Sequence, residues 1–205
     1  MSDEKDGERE DGGAGRRVRM RCNGAGKEHR SSGRVFVPPP RDVECLLRCA
    51  QGGEADGLHE LVPFLAVGFF AGPRAAELAN LSWPDVWGDP GGIVIWEMRT
   101  GRRRIVRMSS NLRAWLLPWR GSSGAVAPSG RTLARLRAKL RLALGAAWWS
   151  SLVMRHAFAA YRVPVAGREV VAAEMGKLKA GVYRHDHVCW PVTTEDARAF
   201  WRIYP

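Results

Sequence analysis

The sequence predicts a mainly α-helical domain with a small antiparallel β-sheet. Apolar residues recur at helical spacing through most of the chain from residue 43 onward. Residues 93–96 differ, because they have the β-branched and aromatic composition of a strand, and a Thr-Gly turn separates them from a second such segment. The chain has 205 residues, of which 45% are apolar, and this is sufficient for the core of one ordinary domain.

The first half of the domain contains three expected helices and the hairpin. Apolar residues at helical spacing predict a helix over residues 43–50, which Gly52 and Gly53 close. The continuous apolar run over 58–70 predicts a buried helix. Gly72-Pro73-Arg74 then ends that helix and starts another, with Pro73 at the first helical position. Residues 93–96 and 104–106 form the two strands of the predicted hairpin.

The second half is expected to be helical throughout. Ser109 and Ser110 can cap a helix that runs to Leu117, and a leucine stripe at helical spacing begins after Arg131. Ser150 and Ser151 can cap a helix through Tyr161. Two short helices complete the domain, over residues 169–175 and after Thr193-Thr194-Glu195-Asp196.

The charge balance points to a polyanionic partner. The chain carries 32 Lys and Arg against 21 Asp and Glu, a formal charge of +11 and a sequence pI near 10.4. Nucleic acid is the favoured partner and an anionic membrane surface the alternative. No apolar run approaches the length of a membrane span, and the N-terminus is acidic rather than signal-like. We therefore expect a cytoplasmic, DNA-associated protein without a membrane segment.

The chain divides into a tail and a domain. Residues 1–34 alternate acidic and basic blocks, are rich in glycine and have almost no apolar side chains. Such a segment cannot bury enough surface to offset the entropy of ordering. We expect residues 1–34 to be a disordered charged tail and residues 35–205 to form the folded domain.

Two arginines stand where a lone cation is unfavourable. Arg74 is predicted in the first turn of its helix, where the macrodipole disfavours positive charge by about 0.3–1 kcal/mol. Arg155 lies between the apolar triplets 152–154 and 157–159, which indicates partial burial. Two guanidiniums meeting on one phosphate would satisfy both residues. Pairing with a structural carboxylate, such as that of Glu77 one turn after Arg74, would satisfy them equally.

The order of several segments resembles one family. Residues 64–78 followed by 81–86 closely resemble the first box of the tyrosine recombinases of the phage-integrase type. Residues 99–106 look like the hairpin of that family, 154–159 resemble its second box, and Met175-Gly176-Lys177 stands where the family has Gly-His. The resemblance runs from about residue 35 to the C-terminus and implies a tyrosine-recombinase-like catalytic domain, the fold of DNA breaking-rejoining enzymes.

The resemblance also implies an activity. Family members cleave and rejoin DNA through a phosphotyrosyl intermediate, without a metal or other cofactor. By resemblance, Arg74 and Arg155 clamp the scissile phosphate, where preorganised guanidiniums stabilise charge that develops in the transition state. Arg99 occupies the position of the lysine that protonates the leaving oxygen. Lys177 occupies a position that is usually His or Trp, and Tyr183, in a Tyr-Arg-His context, is the best candidate nucleophile.

Three positions depart from the family pattern. Arg99 keeps its proton near neutral pH and is therefore a poor general acid. Leu152 stands where the family has a histidine three residues before Arg155, and the usual spacing for the nucleophile reaches Asp186 rather than Tyr183. Two interpretations follow. The chain is either an active DNA strand transferase or a catalytically degenerate, DNA-binding remnant of a mobile-element integrase.

Double-stranded DNA is the expected partner in both interpretations. Arg102, Arg103 and Arg104 at the hairpin, together with His156 beside Arg155, are the predicted DNA-contacting residues. The three hairpin arginines have a simpler alternative role as a solubilising tip.

The C-terminal segment has two possible roles. Family members assemble on DNA by lending this segment to a neighbour, so Phe200 and Trp201 either support a homo-oligomer or cover their own core. Full-length members also have an N-terminal helical domain that closes a clamp on DNA, and residues 1–34 are too short and too polar to form it.

Metal binding and disulfide bonding are not predicted. His185, His187 and Cys189 alternate, but no fourth ligand accompanies them at a metal-binding spacing. The four cysteines are few and scattered, unlike those of a secreted disulfide framework. Tyr161 follows the second box on an apolar face, which indicates a core residue.

Overall fold

The computed structural model describes residues 36–146, 148–176 and 192–205. The predicted tail over residues 1–34 lies outside them. The described elements are helices α1 (Pro40–Gln51), α2 (Val62–Phe70), α3 (Ala75–Ala79), α4 (Trp83–Trp87), α5 (Ser110–Leu116), α6 (Gly130–Leu144), α7 (Ser151–Ala166), α8 (Arg168–Glu174) and α9 (Thr194–Phe200), and strands β1 (Ile93–Trp96) and β2 (Arg103–Val106). The predicted fold class, mainly α with a small antiparallel sheet, is confirmed.

Helix α2 forms the centre of the domain. Every residue of α2 is buried, as the continuous apolar run predicts, and the helix packs against α5 and α7. Helices α1 and α9 complete the same core, and the leucine stripe of α6 contributes Leu136, Leu140 and Leu144. No helix of the described residues is both long and apolar enough to cross a membrane.

The two strands form the predicted hairpin, in which Ile93 pairs with Val106 and Trp96 with Arg103. Side chains alternate between the faces of a strand. The inner face of β2 therefore carries Arg104 and the buried Val106, whereas Arg103 is exposed on the outer face. This alternation directs one arginine of the hairpin toward the body of the domain.

A tight turn joins α2 to α3 and positions the first candidate arginine. Gly72 has a φ of +61°, and a Cβ there would lie 2.4 Å from the ring of Phe158 in α7. Only glycine fits this close approach in the left-handed region. The prediction for the start of α3 was wrong by two residues, because Arg74 is the N-cap and Pro73 precedes it. Arg74 therefore lies at the entrance of α3 rather than within its first turn.

Two further differences concern short elements. Helix α4 was not predicted, because five residues containing Pro84 show no helical periodicity. Its signal is the capping box, in which Asp85 accepts hydrogen bonds from the backbone N–H and hydroxyl of Ser82. The predicted helix over 58–70 is divided, since residues 58–61 form a 3₁₀ turn before α2.

The C-terminal residues pack on their own domain in this structure. The ring of Phe200 stacks on Tyr161 at 4.3 Å between centroids, and the indole of Trp201 donates to the Tyr161 carbonyl at 2.9 Å. The Ile203 carbonyl accepts a hydrogen bond from the buried Trp115. Of the two possible roles of Phe200 and Trp201, this arrangement is the one that covers their own core.

Candidate phosphate-binding site

The centre of the candidate site is the buried carboxylate of Glu77, whose side chain is 2% exposed. Glu77 is the third residue of α3, and its Oε2 accepts the backbone N–H of the N-cap Arg74 at 2.6 Å. Its Oε1 accepts Nη1 of Arg74 at 2.7 Å. Both oxygens also accept the forked guanidinium of Arg104, at 2.9 and 2.7 Å. A capping carboxylate has thus become the shared anion of two arginines.

These contacts determine the ionisation of Glu77. Burial by itself raises the pKa of this carboxyl group. Hydrogen bonds and positive charge from Arg104 and Arg74 outweigh burial and hold the pKa at about 2, below the ordinary 4.5. The carboxylate is therefore charged at any physiological pH and keeps the two guanidiniums in place.

Arg155 approaches the same carboxylate from α7. It is 8% exposed, and its Nη1 lies 4.0 Å from Oε2 of Glu77. The guanidinium donates to the carbonyl of Gly72 at 2.6 Å and to that of Met175 at 2.7 Å. Burial, together with the charges of Arg74 and Arg104, lowers the pKa of Arg155 to about 10, while Glu77 opposes the shift. Arg155 remains a cation near neutral pH.

Arg74 opens onto solvent on the side away from this buried cluster. Its side chain is 41% exposed and lines a cavity of about 350 Å³. The remaining lining residues are Ala76, Glu77, Glu97, Met98 and Arg99. Arg74 and Arg99 therefore line the same open cavity, together with the carboxylates of Glu77 and Glu97.

Glu97 is the acidic neighbour within this cavity, and it was not foreseen from the sequence. Its Oε1 lies 3.4 Å from Nη1 of Arg74, and its other oxygen accepts the hydroxyl of Thr100 at the hairpin turn. The Thr100 hydrogen bond lowers the pKa of Glu97, and Arg74 and Arg99 lower it further. Glu97 therefore supplies an internal anion to Arg74 in this structure.

The predicted DNA-contacting residues fall into two groups. Arg102 and Arg103 are exposed at the hairpin, and His156 is partly exposed on α7. Arg104 is not exposed with them, because its side chain is only 11% exposed and is hydrogen-bonded to Glu77. Strand alternation explains this inward direction and was the available signal, since Arg104 shares a face with Val106.

The other candidates are placed as follows. Lys177 and Tyr183 lie outside the described residues, as do Asp186 and the alternating residues His185, His187 and Cys189. Within the described ranges, no group of three or more His, Cys, Asp or Glu residues could hold a metal ion.

Tyr161 is a core residue, as its apolar context predicted. It is 1% exposed, and its hydroxyl donates to the Pro38 carbonyl at 2.8 Å. Burial, with the nearby charges of Asp196 and Asp42, raises its pKa. Leu152, in contrast, is 61% exposed at the start of α7.

Comparison with known proteins agrees with this architecture. No family model matches the sequence, and no curated protein matches it. The XerA recombinase structure is similar with a TM-score of 0.58 and 19% identity, covering 82% of this chain and 64% of that one. A lambda integrase dimer bound to a COC' core site is similar with a TM-score of 0.51 and 15% identity, covering 70% and 58% respectively. The chain thus spans less than two thirds of either structure, and over that span it has a tyrosine-recombinase-like fold.

Proposed function

We propose that this chain binds double-stranded DNA and that the cavity lined by Arg74 and Arg99 receives a backbone phosphate. The observation that carries the proposal is the convergence of Arg74, Arg104 and Arg155 around Glu77, directly beside an open cavity. A formal charge of +11 supports attraction to a polyanion. The folds of the recombinase and integrase neighbours agree with such a role.

The geometry suits a phosphate because the cation is fixed before the ligand arrives. Glu77 accepts a hydrogen bond from Nη1 of Arg74, and the partly exposed Arg74 side chain lines the cavity. A preorganised donor needs no reorganisation when charge develops on the phosphate oxygens. In the free protein the Glu97 carboxylate lies beside the Arg74 guanidinium, where the phosphate would bind. Phosphate binding therefore displaces Glu97 from Arg74.

We further propose strand cleavage and rejoining with Tyr183 as nucleophile. The tyrosine hydroxyl would attack phosphorus, form a phosphotyrosyl bond and break the bond from phosphorus to the 5′-oxygen, and the proton that the tyrosine loses balances the proton that the 5′-oxygen takes up. Attack by the released hydroxyl of a partner strand would reverse these steps and join the strands. Arg74 would stabilise the charge on the non-bridging oxygens, as Arg155 would through its charge behind the site. DNA recombination and integration are the processes that such chemistry serves.

A second candidate function is DNA binding without catalysis. It is favoured by Leu152, an exposed apolar residue where a proton-transferring histidine is expected, and by Arg99, which keeps its proton near neutral pH. In this case the chain is a degenerate remnant of a mobile-element integrase that retains the phosphate-binding cavity.

A suicide half-site substrate distinguishes the two functions. We expect the wild-type chain to form a covalent protein–DNA adduct, and the variant Tyr183→Phe to form none because it lacks the attacking oxygen. Tyr204→Phe is the matched control, since this tyrosine bonds to Ser110 and lies outside the cavity. No wild-type adduct together with salt-sensitive duplex binding would establish the second function. Duplex affinity independent of salt would reject both.

Assembly on DNA through the C-terminal segment is also proposed. The contacts of Phe200 with Phe70 and Tyr161 are made within one chain here, and a neighbour could supply the same rings in exchange. We expect sedimentation velocity with a duplex carrying two half-sites to show a protein dimer that Phe200→Ala weakens. A monomer on each DNA at every protein concentration would reject the exchange.

A further inference from the structure

Arg104 makes three hydrogen bonds to two distant parts of the domain. Its Nη1 and Nη2 donate to the two oxygens of Glu77, and its Nε donates to the carbonyl of Glu174 at 2.7 Å. We propose that Arg104 is a positioning residue that ties Glu77, and through it Arg74, to the C-terminal end of α8. This inference rests on the proposed function, and it gives Arg104 a role behind the site instead of a DNA contact.

Arginines hold the end of α8 from several sides. Arg104 binds the Glu174 carbonyl, and Arg155 binds the Met175 carbonyl at 2.7 Å. Arg162 donates two hydrogen bonds to the Glu174 carboxylate, at 3.0 and 2.9 Å. The last carbonyls of a helix have no partner within it, and cations near that end are favourable. These contacts therefore fix both the position and the direction of the helix end.

Gly176 gives independent evidence that this fit is close. Its φ is +67°, and a Cβ at this position would lie 3.2 Å from Nη1 of Arg104. The chain thus leaves α8 in a left-handed turn directly against the guanidinium. Lys177 follows Gly176 in the sequence and Tyr183 follows six residues later. Arg104 therefore lies against the last described residue before the part of the sequence that carries both candidate residues.

Only arginine can make this connection. The guanidinium presents Nε, Nη1 and Nη2 in one plane, which matches a carboxylate on one side and a carbonyl on another. A lysine ammonium keeps the charge but has one nitrogen, and so cannot hold Glu77 bidentately and Glu174 together. Arg104→Lys therefore keeps the positive charge at this position but removes the simultaneous hydrogen bonds to Glu77 and Glu174. Arg103→Lys is the matched control for hydrogen exchange, because Arg103 is the exposed neighbour on the opposite face of β2.

Hydrogen exchange on the full chain measures the effect at the end of α8. The amides of Met175 and Gly176 are bonded to the carbonyls of Val171 and Ala173. We expect them to exchange at least fivefold faster in Arg104→Lys, with no change in α1 and no effect of Arg103→Lys. If both amides exchange in Arg104→Lys at the wild-type rate, the proposal is overturned. Faster exchange in every helix would also overturn it, because Arg104 would then act on global stability.

The covalent-adduct reaction tests the role in the site. For Arg104→Lys we expect the rate at saturating half-site DNA to fall at least tenfold while the half-saturating DNA concentration stays within twofold. A wild-type maximal rate, or a higher half-saturating concentration with an unchanged maximal rate, would contradict the positioning role. If the wild-type chain forms no adduct, the proposed cleavage fails, and hydrogen exchange alone decides the role of Arg104.

Discussion

Replacing Glu77 with glutamine is expected to lower the free energy of unfolding by about 3 kcal/mol at neutral pH. Glutamine has nearly the same size but no charge, so the substitution leaves Arg74, Arg104 and Arg155 around a neutral group. Arg104 and Arg155 are both largely buried and would lose the anion that compensates them. Denaturant unfolding monitored by circular dichroism measures the difference.

The pH dependence gives a second check. The pKa of Glu77 is about 2 in the folded chain and about 4.5 ordinarily, a difference equivalent to roughly 3 kcal/mol. Because the folded-state pKa is depressed, this stability is fully present above pH 4.5 and is lost as the pH falls toward 2. The stability gap between wild type and Glu77→Gln should therefore be constant from pH 7 to 5 and shrink below that.

Glu44→Gln is the matched control for both measurements. Glu44 forms an ion pair with Arg48 one turn away on α1, and both side chains are 43% exposed. Such a surface pair contributes about 0–1 kcal/mol. Two results would show that the buried cluster does not depend on the Glu77 charge. One is a decrease in the free energy of unfolding for Glu77→Gln no larger than that for Glu44→Gln. The other is a difference in the free energy of unfolding between wild type and Glu77→Gln that does not change with pH.

Removing both cavity arginines is expected to weaken duplex binding about eightfold at 0.1 M salt. Each neutralised phosphate contributes a salt exponent of about 0.9, which corresponds to roughly eightfold in affinity at this salt concentration. The double variant Arg74→Ala, Arg99→Ala removes both cations that face the one phosphate in the cavity. Fluorescence anisotropy of a labelled duplex measures the affinity.

The control for this loss is a double variant of equal charge, Arg198→Ala, Arg202→Ala. Both residues are exposed, and neither lines the cavity. General electrostatic attraction affects the two double variants alike, so the difference between them reports contacts within the cavity. Equal affinities for the two variants would mean that the cavity receives no phosphate.

Most of the fold followed from local sequence patterns. Helical spacing defined α1 and α6, and the capping residues Ser150 and Thr193 correctly placed the starts of α7 and α9. Helix α4 was missed because a helix of five residues does not display a period. Pro73 was misplaced because the turn that begins at the left-handed Gly72 continues to Arg74, which becomes the cap.

The candidate site was predicted less completely, since it depends on contacts between distant elements. Arg74 and Arg155 were recognisable as cations in unfavourable local positions, and the structure brings both to Glu77. The contact of Glu97 with Arg74 depends on how the hairpin docks on α3, which no local pattern encodes. The inward direction of Arg104 was predictable from strand alternation, but its second partner, the carbonyl of Glu174, was not.

The salt dependence of duplex affinity tests the central claim most directly, because its slope counts the phosphates that the protein neutralises. We predict a negative log–log slope for the wild-type chain. In Arg74→Ala, Arg99→Ala the slope should be smaller in magnitude by about 0.9, which corresponds to the loss of the one phosphate that the cavity neutralises. Parallel lines for wild type and this double variant would contradict a phosphate-binding cavity at Arg74 and Arg99.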